Sequence, residues 1–320
     1  MVRLLRSVWM TCGVLTASLA WAQAIPAPDR EVREPVAATP AASDDVFPAR
    51  PWVMPAIQVQ GERKPALFEE ERIGSYRQPR WTAQRRFPTT RVYVAPAGRM
   101  VFEYWNQYNQ PLNERGPKDR RVRGIYEFEW GLGHRLQLDL YLVTQQEGYG
   151  SNADITLKKE KVELRYALAD WGKLPGNPAV YFEWSRARNS ADAFEFKLLF
   201  GGELAEGWHA AANLSLERKV DDGAEHEYQV TAGLSKTLSD RSLSLGLELR
   251  TEFHDVAGAR MKSLFDQAYL LGPSICWYPV PPMHVLLASL AGAAKGEFNS
   301  GDSTAFGAAF ENWLVVGWTF

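Results

Sequence analysis

Charged side chains recur at every second position in several stretches. Acidic and basic groups at this spacing could bind solutes or act in catalysis. The candidates carry both signs; they are Arg121, Arg123, Glu127, Glu129, Arg135, Asp139, Glu163, Arg165, Glu183, Lys197, Glu248 and Arg250. Because residues two apart share one face of a β-strand, such residues would form rows on a polar surface. The rows either line a wet passage and select solutes, or pair with one another and fill a narrow interior. The mixture of signs argues against strong ion selectivity.

Catalytic chemistry has little support in the sequence. The histidines are far apart and no His-x-Ser pair occurs; they are His134, His209, His226, His254 and His284. A hydrolase would need histidine beside serine or an acidic partner. The chain also has no phosphate-binding glycine loop, no Cys-x-x-Cys pair and no His-Glu-x-x-His motif. We therefore predict no catalytic residue, no metal ligand and no cofactor.

The polar rows alternate with apolar rows, which identifies the elements that position them. Leu136, Leu138, Leu140 and Leu142 share one parity within 135–144, and polar residues share the other. A helix would scatter these leucines, since residues two apart lie about 200° apart around its axis, whereas a strand aligns them. The alternation is strong in 121–131, 135–144, 161–168, 180–185, 194–200, 208–217, 227–235 and 243–253, and weaker in 100–108, 264–277, 284–291 and 305–320. These stretches predict twelve strands.

The composition restricts the class of protein. The 320 residues are 46% hydrophobic and 23% charged, with a mean hydropathy of −0.30. No apolar run reaches the roughly 20 residues of a membrane helix, except marginally at the N-terminus. This excludes a helical membrane protein but not a transmembrane β-barrel, because a polar inner face lowers the mean hydropathy. The net charge of −2 gives no reason to expect nucleic acid as a partner.

The connections between the predicted strands alternate in length. We expect tight turns at 131–133 and 238–240, and longer polar loops at 109–120, 145–157 and 294–304; the connection 169–178 departs from this alternation. Short turns on one side and long loops on the other are typical of transmembrane barrels. We therefore predict an all-β fold, a single antiparallel up-and-down transmembrane β-barrel of about 12 strands over 98–320. Its first and last strands should pair, because lipid cannot satisfy an open sheet edge.

Two details follow from this arrangement. A turn at 131–133 would place Glu129 opposite Arg135 and Asp139 diagonal to Arg123, and Arg165 could meet Glu183 on the neighbouring strand. Aromatic residues fall near strand ends, where a barrel carries its interfacial girdles. These aromatic residues are Trp130, Trp184, Trp208, Tyr228, Tyr269, Trp277 and Trp318.

The C-terminal residues Leu314, Val316, Trp318 and Phe320 alternate on the apolar face, and the last residue is aromatic. They resemble the signal by which Gram-negative outer-membrane barrel proteins are recognised by their assembly machinery, although Val315 stands where that pattern usually has glycine. The resemblance covers 98–320 as an architecture, and residues 67–81 are similar to those of some uncharacterised outer-membrane barrel proteins. It implies a porin-like protein of the cell outer membrane, with its lipid and the barrel assembly machinery as partners. An even strand number would leave both termini in the periplasm.

The residues before the barrel fall into three parts. Residues 1–24 resemble a cleaved secretory signal, with Arg3 and Arg6 ahead of an apolar stretch. Cleavage of the signal would remove Cys12 and leave Cys276 as the remaining cysteine, so no internal disulfide could form. Residues 25–55, rich in proline and alanine, are expected to be a disordered spacer.

Residues 56–97 combine arginines with aromatic residues, have no clear period and are too few for an independent core. The residues concerned are Tyr76, Arg77, Arg80, Trp81, Arg85, Arg86, Phe87, Arg91 and Tyr93. We expect a periplasmic segment that packs at the rim of the barrel as a lead-in strand. It could instead bind an anion, dock a periplasmic partner or enter the lumen as a gate.

These observations favour a passive or weakly selective channel for small polar solutes. The first alternative is a non-conducting barrel that serves envelope structure or docks a partner. The second is an outer-membrane hydrolase. The third is a soluble periplasmic β-protein whose apolar face is a core or a lipid pocket.

Overall fold

The computed structural model describes residues 67–111, 121–147, 154–220, 225–256, 266–296 and 302–320. The predicted signal 1–24, the spacer 25–55 and residues 56–66 lie outside this part of the chain. No helix among the described residues is long and apolar enough to cross a membrane. The first elements are two short 3-10 helices, Phe68–Glu70 and Arg80–Ala83, and the short strands β1 (Arg72–Ile73) and β2 (Gln78–Pro79).

Twelve antiparallel strands follow and close into a barrel. Their bounds are β3 Met100–Pro111, β4 Arg121–Gly133, β5 Leu136–Glu147, β6 Asp154–Ala167, β7 Ala179–Ala187, β8 Ala193–Ala205, β9 Trp208–Lys219, β10 Glu225–Ser239, β11 Leu243–Val256, β12 Asp266–Val280, β13 Met283–Gly296 and β14 Asp302–Thr319. Each strand pairs with its sequence neighbours, and β14 pairs with β3, so the barrel leaves no open edge. The predicted all-β, up-and-down barrel of twelve strands is confirmed.

The two faces of the barrel differ as the alternation predicts. Leu140 and Leu142 are 43% and 49% exposed on the outer face, whereas Asp139 and Tyr141 are buried inside. Several aromatic residues are also exposed on the outer face: Trp130, Trp184, Trp208, Tyr269, Trp277, Trp318 and Phe320. An apolar belt of this extent requires an apolar surrounding, which lipid provides. The alternative of a soluble periplasmic β-protein does not account for this apolar belt, because its side chains would face water.

Short and long connections lie at opposite ends of the barrel. Two or three residues join the strands at one end, apart from the connection 168–178, and five to nine residues join them at the other. We call these the short-turn end and the long-loop end. Most residues of the long loops lie outside the described part of the chain.

The turn between β4 and β5 is not where the glycines suggested. It consists of His134 and Arg135, whose φ angles of 52° and 64° are both left-handed, as a two-residue type I′ hairpin turn requires. Glu129 therefore lies opposite Asp139 instead of Arg135. Arg135 lies 3.8 Å from Asp170. The predicted lumen position of Arg135 is wrong, because β5 begins after it.

Arg135→Gly is expected to raise the free energy of unfolding by about 1 kcal/mol, because glycine adopts the left-handed conformation without a steric penalty. The lost ion pair with Asp170 is solvent-exposed and contributes little. Urea unfolding of the detergent-solubilised barrel measures the change. The control is Arg186→Gly within β7, where glycine should lower stability. A loss of stability in both variants would contradict the prediction.

Residues 67–99, which we call the inner segment, lie inside the barrel. The backbone N–H of Phe68 donates to Asp240 at the short-turn end (2.9 Å). The inner segment then reaches Glu127, the central residue of β4. It returns to the same end, where the N–H of Gly98 donates to the carbonyl of Gly131 (2.8 Å). The expectation that 56–97 packs at the rim as a lead-in strand is therefore wrong for residues 67–97.

Two inner-wall glycines show why the inner segment fits. A Cβ at Gly233 would lie 2.6 Å from the ring of Phe87, and one at Gly131 would lie 2.0 Å from the carbonyl oxygen of Pro96. Any side chain there would overlap the inner segment. The wall is therefore shaped around it.

Candidate functional site

The structure brings ten of the twelve predicted charged residues to the inner face of the barrel. They are Arg123, Glu127, Glu129, Asp139, Glu163, Arg165, Glu183, Lys197, Glu248 and Arg250. Arg121 begins β4, but its side chain lies outside the described part of the structure. Arg135 belongs to the turn described above. Many of the inward side chains bind the inner segment, so the site is shared between the wall and the chain that precedes it.

Carboxylates lie opposite one another on successive strands, and we call this row the acidic track. Its members are Glu103, Glu127, Glu129, Asp139, Glu163, Glu183, Glu195, Glu217 and Glu227, on β3 to β10. The row climbs from Glu103, near the short-turn end of β3, to Glu227, near the long-loop end of β10. Like charges directly opposite each other on a sheet are destabilising. The track therefore needs cations beside it.

Arg85 of the inner segment supplies one of these cations. Its Nε donates to Glu103 (2.9 Å), and its Nη2 lies 3.2 Å from Glu127 and 3.0 Å from Glu129. The guanidinium carbon lies 4.3 Å from the ring centroid of Trp105, within cation–π range. Both Arg85 and Glu127 are almost fully buried. Removing one partner of a buried pair leaves an uncompensated charge, which makes such pairs costly to break.

Arg91 supplies the second cation. It lies 2.5 Å from Glu127 and 3.2 Å from Glu129, and it donates to the hydroxyl of Tyr141 at 3.0 Å. Burial alone would lower the pKa of Arg91, but these neighbours raise it well above its ordinary value. The guanidinium therefore stays charged and holds the inner segment to the wall.

Arg165 of β6 supplies the third cation, and it belongs to the wall. It lies 3.2 Å from Asp139 and 2.5 Å from Glu163, and it donates to the carbonyl of Tyr93 at 2.9 Å. The predicted pairing of Arg165 with Glu183 is therefore wrong. Lys161 of β6 takes that place, 2.8 Å from Glu183.

Contacts other than ion pairs complete the docking of the inner segment. Glu248 accepts hydrogen bonds from the hydroxyls and backbone N–H groups of Thr89 and Thr90, and Asn213 bonds the backbone of Arg91 in both directions. Trp81 is fully buried and stacks on His209, with ring centroids 4.5 Å apart. These contacts reach β9 and β11, which carry no partner of the Arg85 or Arg91 guanidinium. The inner segment is therefore fixed around much of the wall.

Tyr93 fixes the returning part of the inner segment. Its hydroxyl donates to the carbonyl of Ala169 in the connection 168–178, and its ring packs edge-on against Trp171 at 5.1 Å. Burial raises the pKa of Tyr93 to about 12, so the phenol keeps its donor proton through the neutral range.

Little free space remains between the inner segment and the wall. A cavity of about 50 Å³ lies there, lined by Arg85, Arg91, Glu103, Glu129 and Gln137 among others. That volume holds only a few water molecules. Beyond the inner segment, Arg123 is exposed on the inner face, so water reaches the wall on the long-loop side.

A second charged group lies on β10 to β14. Arg250 pairs with Glu252 and, at 2.7 Å, with Glu311. The ligand atoms of Glu227, Glu252 and His254 lie within 4.8 Å of one another, a spacing that could hold a metal ion. Sequence reasoning missed it because Glu227 lies on a different strand from the other two. Arg250 already engages Glu252, so we assign no metal to this group.

The most important residues that sequence reasoning missed are Glu103, Trp105 and Tyr141 on the wall, with Arg85 and Arg91 as lumen residues. In the sequence, Arg85 and Arg91 stand out only as part of an arginine-rich stretch. Five arginines within 76–93, in a segment with no separate core, could have indicated acidic partners elsewhere in the chain. No local pattern shows that those partners lie on β3 to β6.

No family model matches the sequence, and no curated protein matches it significantly. An outer-membrane channel from Pseudomonas putida F1 is similar in structure over 100% of its chain and 74% of this one, with a TM-score of 0.51 and 11% identity. NanC porin (TM-score 0.48, 9% identity, 68% of this chain and 98% of that one) and KdgM porin (0.43, 9%, 69% and 99%) are also similar.

At these identities the likeness shows the fold alone. The chain has the fold of an outer-membrane β-barrel. Its closed sheet and apolar outer belt agree with that class and with an outer-membrane location.

Proposed function

We propose that the protein is an outer-membrane channel for small polar solutes and that the inner segment holds it closed. One observation carries this proposal: a segment of the chain itself, rather than the side chains of the wall, fills the short-turn half of a lumen lined with charge. Twelve-stranded barrels are intermediate between barrels filled by side chains and the wide porins. Withdrawal of residues 67–99 would therefore leave a polar passage.

The way the inner segment is attached supports its release as a unit. Both of its ends lie at the short-turn end, and it joins β3 through Gly98, which has a φ of 79° and no close neighbour at its Cβ position. Rotation at such a residue meets little steric resistance.

The first alternative is a barrel that never conducts, with the inner segment as its permanent core. The complete burial of Trp81 and Phe87 favours this alternative, because exposing both side chains would cost several kcal/mol. The two functions differ in whether weakening the docking opens a passage.

Planar-bilayer recording distinguishes them. In the double variant Arg85→Gln, Arg91→Gln we expect the open probability to rise at least tenfold over that of the unaltered protein. Glutamine cannot compensate the buried carboxylates, which regain water only when the inner segment withdraws. The matched control is Arg72→Gln, Arg80→Gln, which removes pairs with Glu203 and Glu71 that each have one exposed partner and should change little. A folded double variant that stays silent would overturn the channel and leave the non-conducting barrel.

A further inference from the structure

The charges of the wall do not balance without the inner segment. Five track carboxylates lie nearest Arg85 and Arg91, and among the described residues of the wall Arg165 is the one arginine or lysine that pairs with any of them. Those carboxylates are Glu103, Glu127, Glu129, Asp139 and Glu163. Withdrawal of Arg85 and Arg91 would leave these five carboxylates facing one guanidinium of the wall and the imidazole of His284, whose Nε2 lies 2.9 Å from Glu103. The exposed wall would therefore attract cations strongly.

The cluster also has the geometry that a guanidinium requires. Glu103 engages the Nε–Nη2 edge of Arg85, and Glu127 and Glu129 lie against the same Nη2, so three carboxylates surround one edge of the planar group. Trp105 covers its face at 4.3 Å, and the Nε1 of Trp105 donates to Glu103 at 2.8 Å, which fixes the ring. Planar edge contacts combined with an aromatic face distinguish arginine-like ligands from lysine-like ligands and metal ions. This is a built site, occupied by the chain's own side chain.

The rest of the acidic track extends from this site towards the long-loop end. Glu183, Glu195, Glu217 and Glu227 lie opposite one another on β7 to β10. Rows of carboxylates in a pore favour the passage of cations. The mixed signs in the sequence concealed this bias, because the acids form one connected row while the bases are scattered beside it.

We propose that Glu103, Glu127, Glu129 and Trp105 form a binding site for guanidinium-bearing organic cations, which Arg85 and Arg91 occupy as tethered ligands while the lumen is closed. This rests on the proposed channel function and names its substrate class. A free solute of this kind competes with the two arginines for the same carboxylates. Because it binds only where they have withdrawn, it shifts the population towards the open barrel.

Calorimetric titration of the detergent-solubilised full-length protein tests the site without requiring conduction. The probe is L-argininamide, and the matched neutral probe is L-citrullinamide, which replaces the guanidinium by a urea group. We expect the Arg85→Gln, Arg91→Gln variant to bind L-argininamide at least tenfold more tightly than the unaltered protein, and at least tenfold more tightly than L-citrullinamide. The control Arg72→Gln, Arg80→Gln should behave as the unaltered protein.

Two further arms test the chemistry of the site. Adding Trp105→Leu to the double variant should weaken L-argininamide binding at least fivefold while binding of Mg²⁺ stays unchanged. Equal affinity for L-argininamide and L-citrullinamide, or tighter binding of Mg²⁺ or L-lysinamide, would overturn the guanidinium site. If the double variant does not fold, the single variant Arg91→Gln replaces it. This variant should also bind L-argininamide more tightly than L-citrullinamide.

The outcome is separable from that of the proposed function. Binding of L-argininamide with no conductance in the bilayer would contradict the channel function and would support the site as a docking point for a cationic partner. Conductance without binding would keep the channel and remove the site. In an open variant the reversal potential in a KCl gradient should also show a preference for K⁺, and a preference for Cl⁻ would contradict the cationic assignment.

Discussion

Arg165→Met is expected to lower the free energy of unfolding by roughly 3–5 kcal/mol, because it leaves two buried carboxylates without their cation. Asp139 and Glu163 have no exposed surface, and Arg165 contacts both. Methionine fills a similar volume, so the loss reports charge rather than a cavity. The carbonyl of Tyr93 also loses a donor. Urea unfolding in detergent measures the change.

The matched control for that prediction is Arg188→Met, whose pair with Glu160 is 3.6 Å long and exposed on both sides. It should cost at most about 1 kcal/mol. Adding Asp139→Asn to Arg165→Met should recover part of the loss, since it removes one of the two uncompensated charges. Equal losses in Arg165→Met and Arg188→Met, or no recovery in the double variant, would show that the buried charges are compensated by other means.

Gly233→Val is expected to undock the inner segment. A Cβ at this position would lie 2.6 to 2.7 Å from three ring atoms of Phe87, which is fully buried. Overpacking of this kind costs roughly 1–3 kcal/mol. Since every 1.4 kcal/mol is a factor of ten, the undocked population should rise roughly 5- to 150-fold. Trypsin cleavage within the inner segment, where arginines are frequent, measures that population.

Gly202→Val on β8 is the control, because a Cβ at Gly202 meets nothing within 4 Å. Its cleavage rate should match that of the unaltered protein. The double variant Gly233→Val, Phe87→Ala tests the cause, since the smaller side chain leaves room for valine. Gly233→Val should therefore raise the cleavage rate much less in the Phe87→Ala variant than in the unaltered protein. Fully additive effects would show that valine acts on the barrel and not through Phe87.

The barrel was predictable because its signal is local and repeated. Alternation at every second residue follows from strand geometry, and Leu136 to Leu142 keep that parity whatever their partners are. Closure of the barrel was predictable because every backbone N–H and C=O group in lipid needs a hydrogen-bond partner within the protein. The outward positions of the strand-end tryptophans depend on the same parity.

The error at the turn between β4 and β5 has a physical origin. Glycine favours turns, so Gly131 and Gly133 predicted a turn at 131–133. Gly131 instead leaves room for the carbonyl oxygen of Pro96, which a side chain at this position would overlap. The turn itself uses His134 and Arg135, which are unfavourable in left-handed conformations. The reason for Gly131 lies 35 residues earlier in the chain, where no local pattern reveals it.

The location of the inner segment was equally hidden. Its contacts join residues far apart in the sequence, as between Thr90 and Glu248 or Arg86 and Ser274. Its own residues show no period, because they pack against a curved wall and not against a repeating partner. The charge of each strand could be read from the sequence, but its compensation by another part of the chain could not.

Both ends of the inner segment emerge on one side of the barrel, and this has a mechanical consequence. Tension applied to the chain ahead of Leu67 would load the anchoring bonds one after another, beginning with the hydrogen bond between Phe68 and Asp240. A structure peeled in this order yields to a far smaller force than one whose bonds are sheared all at once. A protein that grasps the preceding residues could thus extract the inner segment by traction, without unfolding any strand of the cylinder.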